Sequence, residues 1–208
     1  MLITLSEAKN YLGIPAADVS YNSFLNQQIQ VISDAIEGYC GRKFAQATYV
    51  QTFYWEDYLY YPKQLELFMY PLISVTSVEE DSQPITDFRI QKEYGQIQAD
   101  TTFFLTGDEL VITYEAGYAT IPAIVKQVCY NVIEGLYNKK KQGINLSFGS
   151  DVQRISIPGT ISIDFDYTLT QNERSNAFGS ILGNNLNLLD KYRSERAING
   201  SGKLAYVG

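Results

Sequence analysis

A chain of 208 residues, 45% hydrophobic and 19% charged, can bury a substantial core and is too apolar for intrinsic disorder. Its formal charge of −7, from 23 acidic and 16 basic residues, argues against a protein whose affinity rests on neutralising nucleic-acid phosphates. With no histidine, and with Cys40 and Cys129 far from any ligand spacing, neither a zinc site nor a disulfide framework is expected.

Thr4-Leu5-Ser6-Glu7 opens a short helix. The Thr4 hydroxyl can accept from the Glu7 amide while the Glu7 carboxylate reaches back to Thr4, and Gly13 provides the stop. Residues 20–40 form an amphipathic helix with Phe24, Leu25, Ile29, Ile32, Ile36 and Tyr39 on one face and Asn26, Gln27, Gln30 and Ser33 opposite. Gly41 ends it in the left-handed region, and Arg42 and Lys43 sit where a helix C-terminus favours cations.

About 70 residues of strand-like alternation follow, with strands expected at 47–54, 65–69, 73–79, 87–91, 96–99 and 109–115. Turn signals at Glu80-Asp81-Ser82-Gln83-Pro84, Tyr94-Gly95-Gln96 and Thr106-Gly107-Asp108 join them into an antiparallel sheet of hairpins. A third helix, about 122–140, starts at Pro122 and carries Ile124, Val125, Val128, Val132, Ile133, Leu136 and Tyr137 as its apolar face. Its terminal Lys139-Lys140-Lys141 reads as compensation of the helix dipole rather than a phosphate site.

Beyond Lys141 a loop leads to a hairpin, Val152–Ile157 and Thr160–Phe165, around Pro158-Gly159. Residues 174–193 carry Leu182, Leu186, Leu189 and Tyr192 at helical spacing, but Gly179 and Gly183 weaken that helix by about 1 kcal/mol each. Asn199-Gly200-Ser201-Gly202 reads as a flexible spacer before Lys203. The fold class is therefore α+β: a frame of N-terminal, central and C-terminal helices with an antiparallel β insert at about 46–117 and a further β-hairpin. Residues 1–140 form the core, and 141–208 supply the hairpin, the last helix and a tail. No run nears roughly 18 apolar residues and no basic-apolar leader opens the chain, so the expectation is a soluble protein made in the cytoplasm.

No Gly-rich phosphate loop, H-E-x-x-H or G-x-S-x-G occurs, and the lack of histidine removes the usual general base. Asp164 and Asp166 share a strand face but read as solvated acids, and a hydrolase would need them to converge with the Glu109 region. Glu79-Glu80-Asp81 lacks EF-hand spacing and reads as a charged turn. No catalytic, cofactor or metal residues are assigned. Asn145-Leu146-Ser147 and Asn199-Gly200-Ser201 are read as chance matches to the glycosylation triplet.

The aromatic load of 17 Tyr, 10 Phe and Trp55 divides between sheet core and protein interface. Tyr54, Trp55, Tyr58, Tyr60 and Tyr61 are the candidate subunit or tail interface. The alternative is an aromatic β-module that binds carbohydrate.

Several motifs in order resemble the tailed-phage head-tail connector, or adaptor, family. Ile3 to Lys9 with the helix ending Gly38-Tyr39-Cys40-Gly41-Arg42 looks like its N-terminal signature. Leu67 to Val78, a strand, proline, strand pattern, is similar to its insert. Val111 to Tyr118 with Pro122 looks like its return to the helical frame, and Leu189-Asp190-Lys191-Tyr192-Arg193 resembles its last helix. The resemblance implies a structural protein of the virion neck, assembled in the host cytoplasm as a homo-oligomeric ring, commonly of twelve subunits. Such a ring sits between the portal protein and tail or stopper/terminator proteins, with double-stranded DNA passing through without tight binding and no membrane involved. It makes Leu182, Leu186, Leu189, Tyr192, Arg193, Arg196 and Lys203 the candidate portal-docking residues.

Overall fold

A computed structural model describes residues 1–55, 62–103, 107–142, 182–194 and 203–207. The expected hairpin at 152–166 and residues 174–181 lie outside them. The chain forms two compact units, one of Met1–Arg42 with Ile121–Ala197, the other of Lys43–Thr120 with Ile198–Gly208. The boundaries of the second unit's main segment follow those of the expected insert. The chain does not divide at residue 140, because its later residues return to both units.

In the helical unit, α1 (Leu5–Tyr11) has both halves of its capping box: the Glu7 N–H donates to Thr4 Oγ1 at 3.2 Å and the Thr4 N–H to Glu7 Oε2 at 2.7 Å. Gly13, with φ 67°, turns the chain away. Lys9 is 5% exposed, and its ammonium donates to the carbonyls of Ala16 (2.8 Å) and Asp18 (2.6 Å) and to Asn22 Oδ1 (3.3 Å). A buried ammonium needs such oxygens, so it fixes the loop into the next helix.

The first half of α2 (Asn22–Cys40) has the expected two faces, Leu25 and Ile29 buried against exposed Asn26, Gln27 and Gln30. From Val31 to Cys40 every residue is buried, including Ser33, whose hydroxyl accepts the Leu2 N–H at 3.0 Å. Neighbours on several sides account for this: α1, α3 (Ala123–Lys141) and the segment ending at Ser194, whose N–H reaches the Cys40 carbonyl at 2.8 Å. Gly41 (φ 64°) closes α2, with its own N–H on Gly38 and that of Arg42 on Glu37. Arg42, just past the C-terminus of α2, is 1% exposed.

Helix α3 buries Val125, Val128, Cys129, Val132, Ile133, Leu136 and Tyr137. Ile124, expected with them, is exposed: it lies in the first turn of α3, at the edge of the stripe. Lys140 and Lys141 lie over the rings of Phe24 and Tyr137, at 5.9 and 5.5 Å, as befits cations at a helix C-terminus.

Instead of a continuous helix, the described C-terminal segment is a single turn, α4 (Leu186–Leu189), between 3₁₀ turns at Gly183–Asn185 and Asp190–Tyr192. Gly183 has φ 55°, which a right-handed helix cannot pass through. Leu182 and Leu189 are nevertheless buried within the protein.

The β unit holds β1 (Ala47–Tyr54), β2 (Gln64–Glu66), β3 (Leu72–Glu80), β4 (Gln83–Pro84), β5 (Phe88–Gln91), β6 (Gln96–Ala99), β7 (Glu109–Ala116) and β8 (Lys203–Val207). Two antiparallel sheets replace the single one expected, ordered β4-β3-β7-β1-β8 and β2-β6-β5. The β3–β4 hairpin turns through Asp81 (φ 45°) and Ser82 (φ 66°), a two-residue loop suited to strand twist. Strands β4 and β8 have no sequence counterpart in the reading above: one is two residues long, the other follows the Gly-Ser spacer.

The core of this unit takes Tyr49, Gln51 and Phe53 from β1, Leu110, Ile112, Tyr114 and Ala116 from β7, and Leu65, Leu67, Met69, Ile97 and Phe103 around them. Gln51 is the polar member. Its Oε1 accepts from the Phe68 N–H (3.0 Å) and the Tyr114 hydroxyl (3.1 Å), its Nε2 faces the Glu66 carbonyl (3.5 Å), and the Tyr114 oxygen accepts the Met69 N–H (3.3 Å). These side chains take the main-chain donors that a longer β2 would have used, which is why β2 stops at Glu66 and not at the expected Met69.

Candidate interaction surfaces

Of the five aromatic residues assigned to an interface, the structure describes two. Tyr54 ends β1 opposite Glu109, and the Trp55 N–H donates to the Asp108 carbonyl at 2.8 Å; both side chains are half-buried. Tyr58, Tyr60 and Tyr61 lie outside the described residues. The acids nearby have structural work: Glu80 Oε1 accepts the Gly107 N–H (2.8 Å), and Asp81 accepts those of Asp108 (3.3 Å) and Glu109 (3.0 Å). The charged turn thus holds the loop before β7. Among the described residues no three His, Cys, Asp or Glu are grouped to hold a metal, and Asp164 and Asp166 lie outside them. Among the same residues no helix is long and apolar enough to cross a membrane.

The C-terminal candidates fall into two groups. Leu182 and Leu189 are core residues, and Arg193 stacks 4.8 Å from the Tyr39 ring centre with Nη1 3.4 Å from Asp190 Oδ1. Tyr39 donates its hydroxyl to the same carboxylate, so Tyr39, Asp190 and Arg193 latch this segment onto α2. Leu186 and Tyr192 are half-buried, while Leu188, 42% exposed, faces outward beside Lys191, whose ammonium lies 4.9 Å from the Tyr192 ring centre. Leu188 was absent from the sequence assignment. No local pattern marked it, since adjacent apolar residues can be buried together, as Val128 and Cys129 are in α3. Lys203 opens β8 opposite Thr52, and Arg196 lies outside the described residues.

Two further groups have testable chemistry. Glu7 and Lys126 pair at 2.6 Å, with side chains 34% and 26% exposed. The Lys126 hydrogen bond, followed by that from the Thr4 N–H, holds the Glu7 carboxyl below its ordinary 4.5, and Glu7 in turn raises Lys126 above 10.5. The Glu7 share of stability is therefore complete above pH 4.5 and lost as pH falls through its lowered folded value; the Lys126 share is complete below pH 10.5 and lost above it. Glu7→Gln, which keeps the capping-box acceptor but removes the charge facing Lys126, is expected to cost about 1 kcal/mol at pH 7 and progressively less below pH 4, read from urea midpoints across that range.

Cys129 is buried and its thiol is pushed up to about 12, chiefly by burial; Cys40 is buried as well. Both are expected to stay unmodified by a disulfide thiol reagent at pH 8 and to react in full once the chain is unfolded, as an absorbance titration would record.

The chain is thus a helical unit and an antiparallel β unit, with many of its polar side chains spent on loops and helix ends. The same fold occurs in a chain from the neck of the empty gene transfer agent (GTA) particle computed with C6 symmetry, at 15% identity and TM-score 0.56, over 96% of this chain and 93% of that one. It recurs in the neck of the native GTA particle computed with C12 symmetry (14% identity, TM-score 0.54, 96% and 92% covered). A chain of the native GTA virion matches at 16% identity and TM-score 0.57, with 96% and 93% covered. No curated protein matches. The family model of head completion proteins matches residues 1–161, and the chain belongs to that family.

Proposed function

We propose that this protein is the head-to-tail adaptor of a virion neck: a ring of twelve copies, assembled in the host cytoplasm, that joins the portal protein to tail or stopper/terminator proteins. The observation that carries the reading is membership of the head completion family across most of the chain, together with a fold shared with neck chains computed with C12 and C6 symmetry. Its work is mechanical, and no reaction is assigned to it. The net charge of −7 favours double-stranded DNA passing through the ring without sticking.

A ring joint is heterologous, so each subunit presents two different surfaces. One is the end of β1 with Tyr54 and Trp55, continued by Tyr58, Tyr60 and Tyr61 in sequence. Portal docking falls to the C-terminal segment through its outward residues, Leu186, Leu188, Lys191 and Tyr192, with Arg196 and Lys203 following in sequence. Leu182, Leu189 and Arg193 support that surface from behind rather than touching the partner.

Truncation at residue 174 is a poor test, since it removes two core leucines and an edge strand. Point changes are cleaner. Leu188→Glu and Tyr192→Ala together are expected to weaken capture of purified portal about tenfold or more, with the melting temperature unchanged. Unchanged capture by a folded double variant would remove the docking assignment.

A further inference from the structure

We infer that β8 is an exchangeable strand: in the ring, β8 of one copy lies along the edge of β1 in the next copy and takes the place of that copy's own β8. The inference rests on the ring reading above and adds the joint that makes the ring.

Strand β8 pairs with β1 antiparallel, from Thr48↔Val207 to Thr52↔Lys203, at the outer end of the sheet order. It can therefore leave without opening the interior of the sheet. It also reaches the β unit from the other unit: among the described residues the last tie to α2 is at Ser194, and the chain enters β8 at Lys203. The eight intervening residues include Gly200 and Gly202 and allow a reach of up to about 30 Å.

The pairing is between main chains, so the same hydrogen bonds form whether the strand comes from within the subunit or from outside. Exchange then changes little in contact energy, which is why swapping identical elements is an inexpensive route to assembly. In a lone subunit β8 covers the donors and acceptors of β1 that would otherwise invite aggregation. In a closed ring, every copy gives one strand and receives one, and the links reinforce one another. Strand and acceptor edge are different surfaces, so the joint is head-to-tail by construction.

The rest of the described surface offers little else of this kind. Its exposed large apolar residues sit on separate elements, among them Val19 before α2, Tyr94 between β5 and β6, and Leu188 on α4.

Cysteine cross-linking decides between the two arrangements. Val50 and Ala205 are direct partners in the β1–β8 register, and cross-strand partners lie within disulfide range. Two full-length single variants, Val50→Cys carrying an affinity tag and Ala205→Cys without one, are mixed and assembled with portal. The rings are isolated by sedimentation, oxidised, and run on a non-reducing gel. The buried Cys40 and Cys129 do not compete.

A tagged-to-untagged covalent dimer is expected, and the double variant in one chain should give a ladder of higher multimers. Rings that yield no dimer from the mixture, and only intrachain links in the double variant, would overturn the exchange while leaving the ring in place. The pair Thr48→Cys and Val207→Cys repeats the test at another register position, so that one poorly tolerated substitution does not decide it. Failure to sediment as a ring at all, with the wild-type chain behaving likewise, would defeat the ring reading and the exchange with it.

Discussion

Gly117→Ala is expected to destabilise the β unit by about 3 kcal/mol or more, among the larger losses a single methyl group can cause. Gly117 follows β7 with φ 113°, a conformation that L side chains rarely adopt, and its N–H donates to the Pro71 carbonyl at 3.0 Å. A Cβ there would meet the Ala45 carbonyl oxygen at 2.5 Å and its carbon at 2.8 Å. Those are backbone atoms, held by the bridge between Ala45 and Tyr118 and by the Tyr118 N–H on the Phe44 carbonyl at 2.8 Å. Neither side can yield by rotating a side chain. Hydrogen exchange should therefore speed up throughout β1, β3 and β7 while α2 keeps its protection. Wild-type exchange in the variant would show that the backbone at Gly117 relaxes freely.

Gln51→Leu should cost about 3 kcal/mol, and Tyr114→Phe about half of that. Both side chains are fully buried. The leucine leaves the Phe68 N–H and the Tyr114 hydroxyl without their acceptor, and an unmet buried donor costs about 1–3 kcal/mol. The phenylalanine strands only the Met69 N–H and frees one lone pair of Gln51. If the node acts as a unit, the double variant will cost less than the sum of the two singles, since the second change removes a donor already stranded by the first. Thermal melts of the three variants give the comparison, and strict additivity would show two independent contacts.

These two sites mark where sequence reading stopped. Gly117 is legible as a glycine beside a turn, but its need for φ 113° depends on Ala45, a residue some seventy positions earlier that reaches it only in the folded sheet. Gln51 breaks an inward run of Tyr49, Gln51 and Phe53, and a polar residue there announces a buried partner without naming it. Elements governed by local chemistry were legible. The Thr4–Glu7 capping box, the Gly41 stop and the α3 stripe from Val125 to Tyr137 depend only on neighbours a few residues away. β1 from Ala47 to Tyr54 and β6 from Gln96 to Ala99 fall where period-two alternation puts them.

The C-terminal region was the hardest to read. Its leucines keep helical spacing, yet Gly183 in the left-handed region interrupts the helix, and Leu182 and Leu189 find their burial inside the protein instead of on a partner. β8 has only five residues after a Gly-Ser spacer, and its identity as a strand comes from the waiting edge of β1. Interface residues are the least legible of all, since a surface that meets another copy obeys no rule of period within its own chain.

The most direct test of the adaptor reading is electron cryo-microscopy of the full-length chain mixed with purified portal, reconstructed without imposed symmetry. The reading predicts a closed ring of twelve copies coaxial with the portal, an open central channel, and the segment carrying Leu188 and Tyr192 turned toward the portal. Single copies scattered around the portal, or a portal left bare at saturating concentrations of the chain, would contradict it.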